Sequence, residues 1–189
     1  MRHGWKRCTD GAWQCAKCAL VRWVERLDNG RRYREVDTYS RDAVTRLNLG
    51  DRRVPPCDPV PLASCVLIEW RGRFAGIESR KHNGQPQLLG GKAEPGESPE
   101  ETAVREAREE GGVDALDLRL VLVADIGGHR CSVFEAEIAR VGALRGGAEG
   151  RARWLTRERL LTEGTYRADA PAIFAAYDAA RAGVGRFGP

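Results

Sequence analysis

The segment from Gly90 to Val113 constrains the 189-residue chain more than any other, because it specifies a helix with hard boundaries and an acidic face. Ser98 is a fitting N-cap and Glu101 completes a capping box. Pro99 takes the first helical position, where its missing N–H costs nothing. Gly111 and Gly112 supply the stop. These signals predict a helix over residues 99–110. On it Glu106, Glu109 and Glu110 follow the spacing i, i+3, i+4, which at about 100° per residue gathers them within about 100° on one face. Three carboxylates so placed repel one another. A hard divalent cation such as Mg2+ or Mn2+, which prefers oxygen ligands, would offset that repulsion. Val104 and Ala107 lie on another face and can pack on a sheet. Glu97, in the glycine-rich loop ahead of the helix, can meet both the acidic cluster and Arg105.

The flanking sequence predicts strands. Residues 63–70 read as a buried strand, Arg71-Gly72-Arg73 as a turn and residues 74–80 as a second strand. Residues 118–126 and 131–138 read as two strands joined at Gly127-Gly128. Residues 170–182 space Ile173, Phe174 and Tyr177 as an amphipathic helix begun near Pro171. Cys65 and Cys131, in strand-like runs, are expected in the core. His82 and His129 stand beside turn glycines and are expected in turns, not on a metal.

The segment resembles the Nudix box, G-x5-E-x7-R-E-U-x-E-E-x-G-U, with U aliphatic. Gly91, Glu97, Arg105, Glu106, Ala107, Glu109, Glu110, Gly112 and Val113 complete the match, with Ala107 a small choice for U. Leu89 stands where the family often has Pro. A looser resemblance runs over residues 60–180 and includes Arg153-Trp154-Leu155, typical of the last strand. It implies an α/β/α sandwich around a mixed β-sheet and hydrolysis of a nucleoside diphosphate linked to a moiety X. Carried over by position, Glu106, Glu109 and Glu110 are implied as Mg2+ ligands, Glu97 joins the metal network held by Arg105, and the Gly91 carbonyl adds a ligand. The general base is a box glutamate or a late-loop Glu, for which Glu149 is the candidate. Arg80 and Lys81, which end the strand before the box, are candidates for substrate phosphates.

The N-terminal third differs in character. Residues 1–59 hold 13 Lys and Arg against 8 Asp and Glu, and the rest of the chain 18 against 19, so the positive excess sits at the N-terminus. Such an excess suggests nucleic-acid contact as one option and a solvated face as another. Cys15 and Cys18 form a C-x2-C, the spacing with which one turn offers two thiolates to Zn2+. His3, Cys15, Cys18 and Cys57 are the preferred zinc set, with Cys8 as the alternative to His3. A module of about 55 residues is marginal without a staple, which favours a metal. Between the ligands a hairpin is expected, with residues 20–27 and 31–36 turning at Asp28-Asn29-Gly30. Val54-Pro55-Pro56 is stiff and presents Cys57. Four prolines among residues 52–61 place the boundary near residue 59. The expected division is 1–59 for the zinc-binding module, 60–183 for the Nudix domain and 184–189 for a tail.

No run approaches the roughly 18 apolar residues of a membrane span, and no apolar stretch follows the first basic residues, so a cytoplasmic protein without membrane contact is expected. The partner expected is a small nucleotide; oligomeric state is not readable. The Ser-Gln-Pro-rich signature of Nudix NADH pyrophosphatases and the proline of many ADP-ribose pyrophosphatases are absent downstream of the box. The default expectation is a MutT-like hydrolase of nucleoside triphosphates or nucleotide sugars. The alternative is a dinucleotide or RNA 5′-end pyrophosphatase, since such relatives carry an N-terminal zinc ribbon, although theirs has paired C-x2-C motifs. The option of another class is a nucleotide-sensing, nucleic-acid-binding regulator.

Overall fold

A computed structural model describes residues 2–9, 11–27, 30–37, 45–47, 57–138 and 144–182, with the backbone alone for those between 23 and 47. The first five strands, β1 (Trp5–Arg7), β2 (Trp13–Cys15), β3 (Val21–Leu27), β4 (Gly30–Asp37) and β5 (Thr45–Leu47), form an antiparallel sheet in chain order. The expected hairpin is its β3–β4 centre, with Leu27 opposite Gly30. The single hairpin foreseen is therefore part of a larger meander. The turn residues Asp28 and Asn29, the Val54-Pro55-Pro56 stretch and the 184–189 tail lie outside the described residues.

The second sheet is mixed. It contains β6 (Leu62–Leu67), β7 (Glu69–Trp70), β8 (Arg73–Ser79), β9 (Gln85–Lys92), β10 (Ala115–Ile126), β11 (His129–Ile138) and β12 (Gly150–Thr156). Its order is β10-β11-β6-β9-β8-β12, with β7 paired to β8. Only β11 and β6 run parallel among the described pairs. Arg71-Gly72 and Gly127-Gly128 make two-residue turns with φ of 49°, 74°, 58° and 80°, the left-handed values that match the twist of hairpin strands. Strand β9 falls outside the strands expected from the sequence. It bridges the sheet: Gln85–Leu88 pair with β8, and Leu89–Lys92 pair with β6.

Helices cover both faces, giving the expected sandwich. On one face Val66, Ile77 and Leu89 pack against Ala103 and Ala107, carried by α1 (Pro99–Glu106) and the π-helical turn Ala107–Gly111 that continues it. On the other, Phe74, Val133 and Leu155 pack against Ile173, Phe174 and Tyr177 of α3 (Ala170–Arg181). A short α2 (Arg157–Thr162) follows β12. No helix among the described residues is long and apolar enough to cross a membrane.

The N-terminal sheet docks on the box helix. Ala12, Ala19 and Val21 join the same apolar core as Ala103 and Ala107. Gln14 Nε2 donates to the buried Ser132 Oγ at 2.9 Å. Lys6 Nζ donates to the Gly96 carbonyl at 2.9 Å and to Glu101 at 2.6 Å, and the Thr9 N–H donates to Glu100 at 3.0 Å.

Gly90 lies where β9 and β6 approach closely: an added Cβ would overlap the Ser64 carbonyl oxygen and lie 2.6 Å from Cys65 Cβ. Neither neighbour is a flexible side-chain tip. Gly90→Ala is expected to destabilise the fold by about 1–3 kcal/mol, the usual cost of overpacking. Urea denaturation would read it as a lower midpoint at unchanged slope; an unchanged midpoint would refute this packing account.

Candidate metal and substrate site

The local signals place the box as written. Ser98 Oγ accepts from the Glu101 N–H at 3.1 Å, Glu101 accepts from the Ser98 N–H at 2.7 Å, and Gly112 ends the helix at φ 66°. Ser64 Oγ donates to the Pro99 carbonyl at 2.6 Å, pinning the helix start to β6. The last turn departs from the expected α-helix. Residues 107–111 are π-helical, and the wider i→i+5 turn advances less per residue. It rotates Glu109 further from Glu106 while Glu110 stays near it. Glu106 and Glu110 are accordingly buried, at 9% and 3% exposure, whereas the Glu109 side chain is 60% exposed.

Arg105 binds the acidic groups together. Its Nε donates to Glu97 Oε1 at 2.8 Å, and its Nη1 donates to Glu106 at 2.8 Å and Glu109 at 3.0 Å. Its Nη2 donates to the Lys92 carbonyl at 2.9 Å and to Glu97 Oε2 at 3.2 Å. Arg105, the Glu94 N–H and the Thr102 hydroxyl hold the Glu97 carboxyl below its ordinary range. Burial pushes Glu106 up, against the pull of Arg105.

Glu110 has no such counter-ion. Its Oε2 accepts from the Gly90 N–H at 2.8 Å, while its Oε1 is buried without a hydrogen-bond partner. Burial, with Glu106, Glu149 and Glu109 nearby, pushes its pKa up to about 8 despite the Gly90 N–H. The Glu106 carboxylate lies against Gly91, where any Cβ would overlap it. An orphaned buried carboxylate oxygen, two further carboxylates and a backbone that admits no side chain fit a hard, oxygen-preferring divalent cation.

Glu106, with Gly91, Lys92, Arg105 and Glu149, lines a cavity of about 500 Å3, and Gly90, which donates to Glu110, borders it. Lys81 lines it and Arg80 does not. Arg80 instead holds the Glu149 loop, with its Nη1 donating to the Ala148 carbonyl at 3.1 Å and its N–H to the Glu149 carbonyl at 2.9 Å. His82 sits in a turn as expected, whereas His129 opens β11 just after the Gly127-Gly128 turn; both border the cavity. Cys65 and Cys131 also line it, beyond their expected place in the core. Contact with the Cys131 thiol, then burial, pushes the Cys65 thiol well above its ordinary range. Sequence alone carried no signal for this, since the register that brings β6 beside β11 is a long-range fact.

A second cluster lies in the N-terminal sheet. The ligand atoms of His3, Cys15, Cys18 and Cys57 all fall within 4.8 Å of one another. Cys15 Sγ is 3.8 Å from Cys57 Sγ, and Cys18 Sγ is 3.5 Å from His3 Nδ1. The Cys18 thiol and the Lys17 N–H draw the Cys15 thiol down to about 4, against burial. Three thiols and one imidazole converging in this way fit a tetrahedral Zn2+ site. Cys8 packs against the apolar core and is not among these four residues, so the cluster contains His3 in place of Cys8.

The Glu110 shift has a consequence for stability. A carboxyl whose pKa rises on folding keeps its proton more firmly in the native state, so stability falls as pH rises from its unfolded value towards about 8. Metal-free protein is therefore expected to melt lower at about pH 8 than at about pH 5, and Glu110→Gln to narrow that gap. Thermal melts in a chelating buffer measure both. A gap of the same size in the variant would show that Glu110 is not its source.

The sequence model of the NUDIX domain matches residues 60–176. No curated protein matches the chain. Among solved structures, a NUDIX hydrolase from Nitrosomonas europaea superposes with a TM-score of 0.57 at 15% identity, covering 92% of this chain and 95% of its own. That span takes in part of the N-terminal module. An ADP-ribose pyrophosphatase from Streptococcus suis gives a TM-score of 0.55 at 16% identity, covering 68% of this chain and 96% of its own. A C. elegans Ap4A hydrolase gives 0.52 at 20%, covering 66% and 99%. At these identities the likeness is one of fold. The family model spans most of the chain and contains the whole acidic site, and on that ground the chain belongs to the Nudix family of hydrolases.

Proposed function

We propose that the chain is a Mg2+- or Mn2+-dependent pyrophosphohydrolase. It cleaves a nucleoside diphosphate linked to X into a nucleoside monophosphate and P-X or pyrophosphate. The observation that carries this reading is the buried, unpartnered Glu110 Oε1 among carboxylates beside a cavity of nucleotide size. Glu106, Glu109 and Glu110 would hold the cation, with Glu97 and the Gly91 carbonyl completing its surroundings. When bound, the cation neutralises the diphosphate and lowers the pKa of an attacking water.

The chain's own groups then position and stabilise. Arg105 fixes Glu97 in one orientation. Lys81, bordering the cavity, meets phosphate charge. Glu149 takes the proton of the attacking water, a role supported by its place on the cavity wall and by the grip of Arg80 on its loop. Nucleoside triphosphates or nucleotide sugars rank first as substrates. The cysteine-rich sheet docked on the box helix favours a second reading, a dinucleotide or an RNA 5′ end, with nucleic acid meeting the basic N-terminal module. Residues 1–59 form that module in this reading and 60–183 the catalytic domain, in a cytoplasmic protein. Structural Zn2+ would be held by His3, Cys15, Cys18 and Cys57.

A hydrolysis panel with identified products tests the activity. It includes nucleoside triphosphates, ADP-ribose, NADH, diadenosine polyphosphates and 5′-capped RNA, each with and without Mg2+. Release of a nucleoside monophosphate from one of them is expected. The Glu109→Gln/Glu110→Gln variant is expected to lose at least about a hundredfold in kcat while staying folded. No turnover by folded, metal-loaded protein would overturn this reading in favour of a nucleotide-sensing regulator. Elemental analysis is expected to find one zinc per chain, lost in Cys57→Ser together with a melting temperature lower by about 10 °C. Zinc content unchanged in that variant would exclude this ligand set.

A further inference from the structure

The N-terminal sheet has two faces, and only one of them is engaged with the larger domain. By strand alternation Lys6, Gln14 and Val21 share the inner face. Lys6 reaches Glu101, Gln14 reaches Ser132, and Val21 joins the core that holds Ala103 and Ala107. The outer face carries Trp5, Arg7, Trp13, Cys15 and Arg22. There the register sets Arg7, Trp13 and Arg22 side by side in one row across three strands, with Trp5 on the diagonal.

The row is ordered by its rings. The Arg22 guanidinium lies over the Trp5 ring, 4.5 Å from its centroid, and 5.8 Å from that of Trp13. Trp5 is itself fixed, because it packs against Cys15, Cys18, Leu20 and Cys57 and meets the His3 ring at 4.8 Å. A guanidinium held over indoles loses little freedom on binding and keeps its N–H edge for an acceptor. Among the described residues, neither the Arg7 nor the Arg22 side chain has a carboxylate or carbonyl partner. On the larger domain, by contrast, Arg105, Arg108, Arg119 and Arg157 each hold a carboxylate.

The missing acceptors suit a polyanion, as does the excess of 13 Lys and Arg over 8 Asp and Glu in residues 1–59. The rings narrow the choice. An acidic peptide brings carboxylates but no flat partner for an indole. A duplex brings phosphates but keeps its bases stacked inside. A single strand offers both phosphates and open base faces, and Trp5 and Trp13 are only half-buried. Arg7, at one end of the row, also borders a groove of about 460 Å3 that Arg108, Arg105 and Glu109 line. The row therefore leads towards the acidic site.

We propose that the outer face of the N-terminal sheet is a contact surface for single-stranded nucleic acid. Arg7 and Arg22 take phosphates, and Trp5 and Trp13 meet bases. The proposal rests on the reading in which nucleic acid meets the N-terminal module, and gives that contact its residues. Glu35, opposite Arg22 in the register of β4, bounds the row with a negative charge.

Fluorescence anisotropy of the full chain with a labelled oligouridylate of about 12 nucleotides, over a series of KCl concentrations, tests it. Duplex RNA of the same length and an oligoglutamate are the comparison probes. The single strand is expected to bind about tenfold or more tightly than either, with an affinity that falls as salt rises. Arg22→Gln is expected to weaken binding about fivefold and to lower the salt slope by about 0.7, the share of one phosphate on a single strand. Trp13→Ala is expected to weaken it about tenfold at an unchanged slope, and Trp13→Phe to keep most of it. Glu35→Gln is expected to tighten it. Equal binding of the duplex or of the oligoglutamate overturns the proposal. So does an unchanged affinity and slope in Arg22→Gln, whose half-buried side chain has no bond that folding needs. Capped RNA hydrolysed as before, with binding untouched in both variants, would remove the surface and leave the RNA 5′-end reading. Binding lost in the variants, with no RNA hydrolysed by the parent chain, would do the reverse.

Discussion

The Arg105 guanidinium joins groups that would otherwise repel or drift apart. It spends its donors on Glu97, Glu106, Glu109 and the Lys92 carbonyl, tying the loop, the helix and β9 to one rigid plane. Lysine could not replace it, since one ammonium cannot present a fork to several acceptors at fixed angles. Its effect is selective. Three carboxylates share its positive charge, and Glu110, behind them against Gly90, does not. The one carboxyl left without a counter-ion is thereby a buried one, which keeps its proton up to about pH 8 unless a cation replaces it. A site that had neutralised itself completely would have no call on a cation.

The N-terminal sheet supports this arrangement from outside. Its apolar residues enter the core beneath α1, and Lys6 and Thr9 grip the loop and first turn of the box. The module thus shares the hydrophobic core that carries the catalytic helix. Three thiols and an imidazole converge in the same sheet, and the Lys6 contact to the Gly96 carbonyl connects that sheet to the loop that carries Glu97. This coupling also explains why so short a segment folds: it borrows a face from the larger domain.

Much of this was legible in the sequence because it is local. Ser98, Pro99 and Glu101 specify a helix start through contacts within four residues, and that start formed as expected. The hairpin turns at Arg71-Gly72 and Gly127-Gly128 follow from backbone conformations that few other pairs adopt. The Cys15–Cys18 spacing announced two members of the cluster, and the choice of His3 over Cys8 needed the fold. What stayed hidden depends on partners distant in the chain. The π-helical turn looks α-helical in composition, and only burial against the sheet separates Glu109 from Glu106 and Glu110. The thiols of Cys65 and Cys131 look like core residues because strand periodicity reports a face, not whether that face borders a cavity.

Strand β9 shows why the glycine pair before the box belongs to both fold and chemistry. Gly90 lets β6 approach closely and turns its N–H to Glu110 Oε2. Gly91, one residue on, leaves the space that the Glu106 carboxylate occupies. The alternation of a strand sends successive substituents to opposite faces, so neither glycine can cover for the other. A side chain at Gly90 would wedge the sheet and shift Glu110. A side chain at Gly91 would spare the sheet and displace Glu106. Two adjacent residues with no side chain therefore set the separation of the two buried carboxylates, and with it the width of any cation they can share.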